Sequence, residues 1–584
     1  RHGVRRQRQM CIRDRSYPVT PLAGERLRPL GHVSTGGVSA LRLKEQVPIA
    51  RAGTWVISKP STSFQSPGSS TIHDGLALIT HLSGDIVLMT SDHAYSELCE
   101  RLRRVAALDQ VSQLLNWDQE TQMPPKGGAQ RAEHCAAVAA ARHALATSPD
   151  LSDLIDEAED GTRSSVETVN LSEARRLHKR ASKLPSSLAA EIARASVEGQ
   201  VTWERARASG SYAEFVPALK RLLILKRDEA ACLAVEGQSH YDALLEAFEP
   251  ATNAETVAGV FSELRTGLVD LRKRIAQADK GMPKISGIYP SAAQLALTQK
   301  LGDVFGYDWE AGRIDLATHP SSSGSGRDVR ITTRIDEQDP ENCLYSTIHE
   351  VGHAVYEQNL DSGQAMLPAG ASCSMGVHES QSRMFENQIG RGEAFCGWLF
   401  DAFCRRFPDT NIVSSDEFYQ AVNRVETGFI RTEADEVHYN LHVMLRFDLE
   451  RALIAGDLDV DDLEAAWNER FAADFGRQVV DVRQGVLQDV HWSAGLFGYF
   501  PTYTLGNIYA AELFAALQSE VPDLEAGLSN GRLRPVVDWL RTRVHKRGRS
   551  LPPAALIEAA SGRKPSPQTL LRYLNDKFGA LYDL

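Results

Sequence analysis

The stretch Asp339-Pro-Glu-Asn-Cys-Leu-Tyr-Ser-Thr-Ile-His-Glu-Val-Gly-His-Ala-Val-Tyr-Glu-Gln-Asn-Leu360 decides how the rest of the chain is read. Asp339 can cap a helix and Pro340 fits its first position, while Leu344, Ile348, Val351 and Val355 recur at helical spacing. Residues 340–360 are therefore predicted to form a largely buried helix. Within it, His349-Glu350-x-x-His353 sets two imidazoles on consecutive turns of one face. Glu350 falls about 100° round the axis, close enough to touch a water on a metal held by the histidines without ligating the metal itself. If the histidines were mere core residues, the glutamate buried beside them would be costly without a metal or partner to satisfy it. This is the geometry of a zinc peptidase helix. Two histidines are not enough, because a catalytic zinc takes three protein ligands and keeps one open position.

The missing ligand must come from elsewhere in the chain. After the small-residue loop Pro368 to Ser374, a second helix is predicted to begin near His378, and Glu379, Glu386 and Glu393 all lie within one helix return of the motif. Spacing alone does not choose among them. Glu379 is favoured by its place in the first turn after the loop, where a helix running back against residues 349–353 delivers its side chain. Upstream, Ser321 to Gly326 reads as a flexible loop, and Asp328 to Ile335 alternates polar and apolar residues with β-branched content, which predicts a strand. As an edge strand beside the helix it could pair with an extended substrate backbone; the plainer reading is a small sheet that only packs there.

Composition narrows the class. The chain has 584 residues, a formal charge of −12 and eight cysteines without a CxxC pair. With a pI near 5.8, a nucleic-acid surface is disfavoured and a small or peptide substrate preferred. The scattered cysteines (11, 99, 135, 232, 343, 373, 396, 404) read as reduced intracellular thiols, which places the protein in the cytoplasm. No run reaches the ~18 apolar residues of a membrane helix. Residues 1–88 are rich in Arg, Ser, Thr, Gly and Pro and lack sustained periodicity, and their six early arginines precede no apolar core of a signal peptide. They read as an N-terminal extension, disordered or artefactual, ahead of one domain spanning 89–584.

From Tyr95 the pattern is helical almost throughout, so the body is expected to be mainly α. The segment Asn116 to Gly128 reads as a break between helices, and further helices are expected at 150–160, 166–182, 185–208, 211–236, 239–248 and 254–279. A helical stretch at 415–456 carries Ile430-Arg-Thr-Glu-Ala-Asp-Glu-Val-His-Tyr-Asn-Leu-His442, whose density of polar residues fits a solvated face or a cleft lining. The run from Gly485 to Gly506 alternates glycine with aromatic residues, as a loop walling an aperture would, and helix is expected from there to Leu584.

Four motifs, Asp328-x-Arg330-x-Thr332, His349-Glu-x-x-His353, His378-Glu-Ser380 and Gln488-Asp-x-His491-Trp492, occur in the order found in the carboxypeptidase Taq family of zinc metallocarboxypeptidases, and the chain resembles that family from about Tyr95 to Leu584. One motif departs: the family's His-Pro-Phe stands here as His319-Pro320-Ser321. The resemblance implies an elongated, helical, zincin-like fold with a small sheet and a deep substrate groove, and a homodimer that removes single C-terminal residues with broad specificity. It implies His349, His353 and Glu379 as ligands of one zinc per subunit, with another divalent ion such as cobalt as a substitute, and Glu350 as the general base. Arg431 matches the position expected to meet the substrate's terminal carboxylate, and Arg330 is the competing choice. His491 or Tyr503 could donate to the developing oxyanion beside the metal. The alternatives are a zinc endo-oligopeptidase or aminopeptidase, which needs no carboxylate-binding arginine, and a helical scaffold with an inert metal site.

Overall fold

A computed structural model describes residues 91–584, and the segment read as an extension lies outside them. The helices begin with α1 (Ser91–Thr121), α2 (Gly128–Ala146), α3 (Pro149–Glu159), α4 (Ser165–Lys183), α5 (Ser186–Ser209), α6 (Tyr212–Leu233), α7 (His240–Leu245), α8 (Ala254–Ala278) and α9 (Ser291–Phe305). A small sheet follows, built from β1 (Gly312–Leu316), β2 (Ser321–Ser325) and β3 (Asp328–Thr333). Beyond it come α10 (Pro340–Gln358), α11 (Met375–Arg383), α12 (Glu393–Arg406), α13 (Ser415–Val422), α14 (Glu436–Ala455) and α15 (Leu463–Phe475). The last five are α16 (Pro501–Glu520), α17 (Leu524–Leu528), α18 (Arg534–Arg543), α19 (Pro553–Ser561) and α20 (Pro567–Tyr582). The fold is thus a mainly helical, zincin-like one with a single three-stranded sheet among the described residues. No helix among them is long and apolar enough to cross a membrane, and the seven described cysteines are free.

Apolar periodicity explains where these helices pack. On α8, Phe261, Leu264, Leu268, Leu271 and Ile275 recur on one face and are buried in the main core, each such side chain contributing roughly 1.5–3 kcal/mol by leaving water. Residues of α1, α3 and α4, among them Leu98, Leu154, Ile155 and Leu171, close a second, smaller core of their own. The helix carrying the histidines belongs to the main core. The Asp339 carboxylate accepts from the Asn342 amide at 3.2 Å, Pro340 occupies its first turn, and Leu344, Ile348, Val351 and Val355 are buried.

Several boundaries differ from the sequence reading, each for a physical reason. Ser321 to Ser325 is strand β2 rather than a loop; it pairs antiparallel with β3, and the Gly324 amide donates to the Gln113 side chain of α1 at 2.8 Å. Backbone pairing overrides a serine-rich composition of poor strand propensity. The strand at 328–333 is the middle one, with β1 parallel on one side and β2 antiparallel on the other, so it offers no open edge to a substrate. Helix α1 runs on to Thr121, leaving only a short break before α2. The stretch 415–456 is two helices, because Asp435 caps α14 by accepting from the Val437 and His438 amides, which leaves Arg431 on a short 3-10 turn. Tyr503 lies in the first turn of α16 rather than in a loop; α16 is buried nearly all round, so no amphipathic period announces it.

Candidate metal centre and active-site cavity

Helix geometry assembles the centre. His349 and His353 share a face of α10, their ring centroids 4.8 Å apart, and α11 crosses that face so that Glu379 meets them. The Glu379 Oε2 lies 3.7 Å from His349 Nε2 and 3.5 Å from His353 Nε2. Two glycines permit this approach. A Cβ on Gly352 would stand 2.6 Å from the Ser382 Cα, and one on Gly506 of α16 would stand 2.6 Å from the Glu379 Cβ. Helix α11 is therefore seated between α10 and α16 at van der Waals contact of its backbone, with Ser374 capping its start by accepting from the Val377 amide at 3.0 Å.

The donor set fits a metal ion. Two imidazole nitrogens and a carboxylate oxygen lie within 4.8 Å of one another. Donors bound at ~2.0–2.1 Å around a tetrahedral ion stand roughly 3.3 Å apart, close to the spacings from Glu379. Burial alone would raise the Glu379 pKa, but Arg383, His349 and His353 outweigh it and hold the carboxyl well below its ordinary range, so it is an anion ready to ligate. Of the other two glutamates that spacing left open, Glu386 backs His349, whose Nδ1 donates to its Oε2 at 2.9 Å. Glu393 is exposed at the start of α12.

Arg383 ties these carboxylates together, donating from Nε to Glu379 Oε1 at 2.7 Å and from Nη1 to Glu386 Oε2 at 3.1 Å. Sequence reading assigned it no role, although its spacing, four residues after Glu379 and three before Glu386, is that of a helical ion-pair ladder. Its guanidinium also lies 4.1 Å over the Tyr439 ring.

A cavity of ≈ 620 Å³ opens beside the centre, lined by His349, Glu350, Glu379, Arg431, Tyr439 and Tyr503 together with His319, Pro320 and Ser321 at the start of β2. Ser321 thus occupies the cavity rim, its hydroxyl 2.9 Å from that of Thr332. Arg431 is 1 % exposed, its amide donates to Gln488 Oε1 at 2.9 Å, and its Nη1 donates to the Tyr439 hydroxyl at 2.8 Å. Its Nε faces Asp489 Oδ1 at 3.5 Å, while Arg446 donates from Nε to Asp489 Oδ2 at 2.5 Å. Burial would raise the Asp489 pKa, yet Arg446 and Arg431 hold it well below the usual carboxylate range. Burial would likewise lower that of Arg431, but Tyr439, Asp489 and Tyr503 raise it. A permanent cation therefore faces the cavity from a desolvated seat.

The remaining sequence candidates fall differently. Arg330 does not line the cavity: it donates from Nε and Nη2 to Asp328 at 2.7 and 3.0 Å and lies 4.2 Å over the Trp117 ring. His491 is fully buried behind Tyr503, its Nε2 3.3 Å from the tyrosine hydroxyl, and it too is absent from the lining. Burial pushes its imidazole down to about 3, against the pull of Asp489 and with help from Arg431 and Arg446, so it is neutral at physiological pH. Of the two oxyanion candidates, Tyr503 is the one at the cavity.

Known proteins resemble this chain along most of its length. A family model described as carboxypeptidase Taq (M32) metallopeptidase matches residues 97–578. Thermostable carboxypeptidase 1 of Thermus thermophilus is 40% identical over 510 residues, covering 85% of this chain and 100% of that protein. Carboxypeptidase 1 of Bacillus subtilis is 32% identical over 508 residues, covering 84% and 99%. Among solved structures, the M32 carboxypeptidase from Deinococcus radiodurans R1 superposes with a TM-score of 0.81 at 36% identity, covering 84% of this chain and 100% of that one. Metallocarboxypeptidase 1 of Trypanosoma cruzi gives a TM-score of 0.81 at 32% identity, covering 83% and 99%.

Proposed function

Because the chain belongs to the carboxypeptidase Taq (M32) metallopeptidase family, we propose that it is a zinc carboxypeptidase removing single residues from the free C-termini of peptides with broad specificity. The observation that carries this reading is that His349, Glu350, Glu379 and the buried Arg431 line one cavity. A divalent ion held by His349, His353 and Glu379 supplies Lewis acidity, polarising a carbonyl and lowering the pKa of water. Zinc suits this donor set, with cobalt as a substitute.

The chain's own residues do the rest. Glu350 takes the proton of the attacking water and returns it to the leaving amine. Tyr503 donates to the oxygen on which charge develops, with neutral His491 packed behind its hydroxyl. Arg431 counts from the chain end by receiving the substrate's α-carboxylate, and Tyr439 and Asp489 keep its guanidinium in place. Residues 89–584 form the catalytic domain in this reading, and the protein acts in the cytoplasm as a homodimer, without nucleic-acid or membrane partners.

The test is mass spectrometry of one peptide incubated with the zinc-loaded protein, with and without C-terminal amidation. Stepwise shortening of the free acid from its C-terminus, with the amide spared, is expected. Internal cleavage or loss of N-terminal residues would replace this reading with an endo-oligopeptidase or aminopeptidase, and no cleavage at full zinc occupancy would leave a scaffold.

A further inference from the structure

We propose that His378 and Glu357 form a buried relay that fixes the tautomer and aim of the His353 imidazole; the proposal rests on the metal-centre reading above. The two ligand histidines are supported in different ways. His349 is backed directly by a carboxylate, its Nδ1 2.9 Å from Glu386 Oε2. His353 meets another imidazole: its Nδ1 lies 2.5 Å from His378 Nδ1, and His378 Nε2 lies 3.0 Å from Glu357 Oε1. His353, His378 and Glu357 are 1, 5 and 3 % exposed, so water does not mediate the contacts from bulk.

Proton counting assigns the direction. Two facing Nδ1 atoms at this distance share one proton. If His378 held it, the proton-free Nε2 lone pair of His378 would face the Glu357 carboxylate, two acceptors at 3.0 Å, and His353 would carry its proton on the Nε2 that faces Glu379. If His353 holds it on Nδ1, His378 accepts there and donates from Nε2 to Glu357. Both contacts are then hydrogen bonds, and the His353 Nε2 lone pair points at the metal position. With both imidazoles neutral and Glu357 ionised, this second arrangement alone makes both contacts hydrogen bonds and leaves the His353 Nε2 lone pair for a metal.

The architecture closes the relay. Glu357 follows His353 by one turn of α10, so both ends stand on one helix face, and His378 reaches across from α11 between them. The ring centroids of His353 and His378 are 4.6 Å apart, and Tyr356 flanks His378 at 5.2 Å. Because His378 immediately precedes Glu379, one turn of α11 delivers both the carboxylate ligand and the support of a histidine ligand. His378 touches neither substrate nor the ligand atoms of the centre; it is a positioning residue.

The test uses the full chain stripped of metal and reloaded with zinc. Zinc release to excess chelator and zinc affinity by competition are measured for wild type, His378→Phe and His378→Gln, alongside the thermal midpoint of each apo form. His378→Phe is expected to weaken zinc binding about 10- to 100-fold, the usual effect of losing a support behind a ligand. His378→Gln, whose amide oxygen can accept from His353 and whose N–H can donate to Glu357, is expected to stay within about threefold of wild type. Imidazole ¹⁵N NMR of the wild type should place protons on His353 Nδ1 and His378 Nε2. A folded His378→Phe that keeps zinc like wild type, a glutamine variant no better than the phenylalanine one, or a proton found on His378 Nδ1 would each overturn the relay. The NMR arm needs no variant to fold. Failure of the wild type itself to bind one zinc overturns the metal-centre reading instead, which keeps the two separable.

Discussion

On one side of the site the polar atoms are fixed by helix geometry: His349, Glu350 and His353 ride on α10, Glu379 and Arg383 on α11, and each is placed by its number of residues along a helix. On the other, Arg431 comes from a short 3-10 turn, Tyr439 from the helix after it and Asp489 from a loop some fifty residues further on, and what holds them together is charge. A buried carboxylate between two buried guanidiniums defines that side as firmly as the turn of a helix defines the first. A helix can carry reactive groups cheaply, because its backbone bonds are already made. A loop must instead be over-determined by side-chain contacts before it can present a cation to a ligand.

The helical side should lose rate, not structure, when its reactive group is removed. Glu350→Gln is expected to retain zinc and thermal midpoint while the turnover rate falls by roughly 10²–10⁴-fold, the scale of a positioned proton-transfer group. Steady-state kinetics beside metal analysis check this, and near-normal turnover at neutral pH would remove Glu350 from the mechanism.

The charge-held side should instead fail in stability. Asp489→Asn leaves Arg431 and Arg446 buried without their shared counter-ion, which should cost about 3–5 kcal/mol in chemical denaturation. The pH dependence has a definite sign. The Asp489 pKa is depressed in the folded state, so its contribution is fully present above the unfolded value of ~3.9 and is lost as pH falls through the folded one. The gap between wild type and variant should therefore be constant above about pH 5 and narrow below about pH 4. A gap independent of pH down to the acid limit would mean that the loss comes from packing.

Arg431→Ala should tell on the substrate rather than on the fold. Losing one partner of a desolvated charge pair typically costs about 2–5 kcal/mol, so kcat/KM for free-acid peptides should drop roughly 30- to several-thousand-fold with zinc content intact. Amidated peptides should start poor and lose little more. Arg330→Ala, whose guanidinium is engaged by Asp328 and Trp117, should change kcat/KM less than about threefold, in line with a partly exposed ion pair. If Arg330→Ala abolishes the preference for acid over amide and Arg431→Ala leaves it, the anchor has been misassigned. The smallest effect is expected from deleting residues 1–88, which precede the family match that begins at 97 and should leave kcat/KM unchanged.

The same contrast explains what was legible in the sequence. The helices and the histidine pair could be read because 3.6-residue periodicity converts sequence spacing into distance, whereas spacing left Glu379 as one of three carboxylates and the family resemblance chose it. Arg383 was legible in principle by that rule, at helical spacing from both Glu379 and Glu386. Nothing comparable links Tyr439, Arg446 and Asp489 to Arg431, since their meeting is set by tertiary packing between separate segments. The start of helix α16, where Tyr503 was expected on a loop, was illegible for another reason: a helix buried on nearly every side has no polar face to give it a period. Strand β2 hid because its pairing with β3, not its serines, makes it a strand.

Tyr439 stands where the two sides meet, with Arg383 4.1 Å over its ring and its hydroxyl accepting from Arg431 at 2.8 Å. A shift of Arg383 on metal binding would bear on the ring whose hydroxyl holds Arg431, and a shift of Arg431 under a carboxylate would bear on Arg383 in return. Thermodynamic reciprocity then applies: the factor by which metal changes the affinity for a free C-terminus must equal the factor by which a bound C-terminus changes the affinity for metal. Grip on the metal and grip on the chain end are then one linked quantity rather than two.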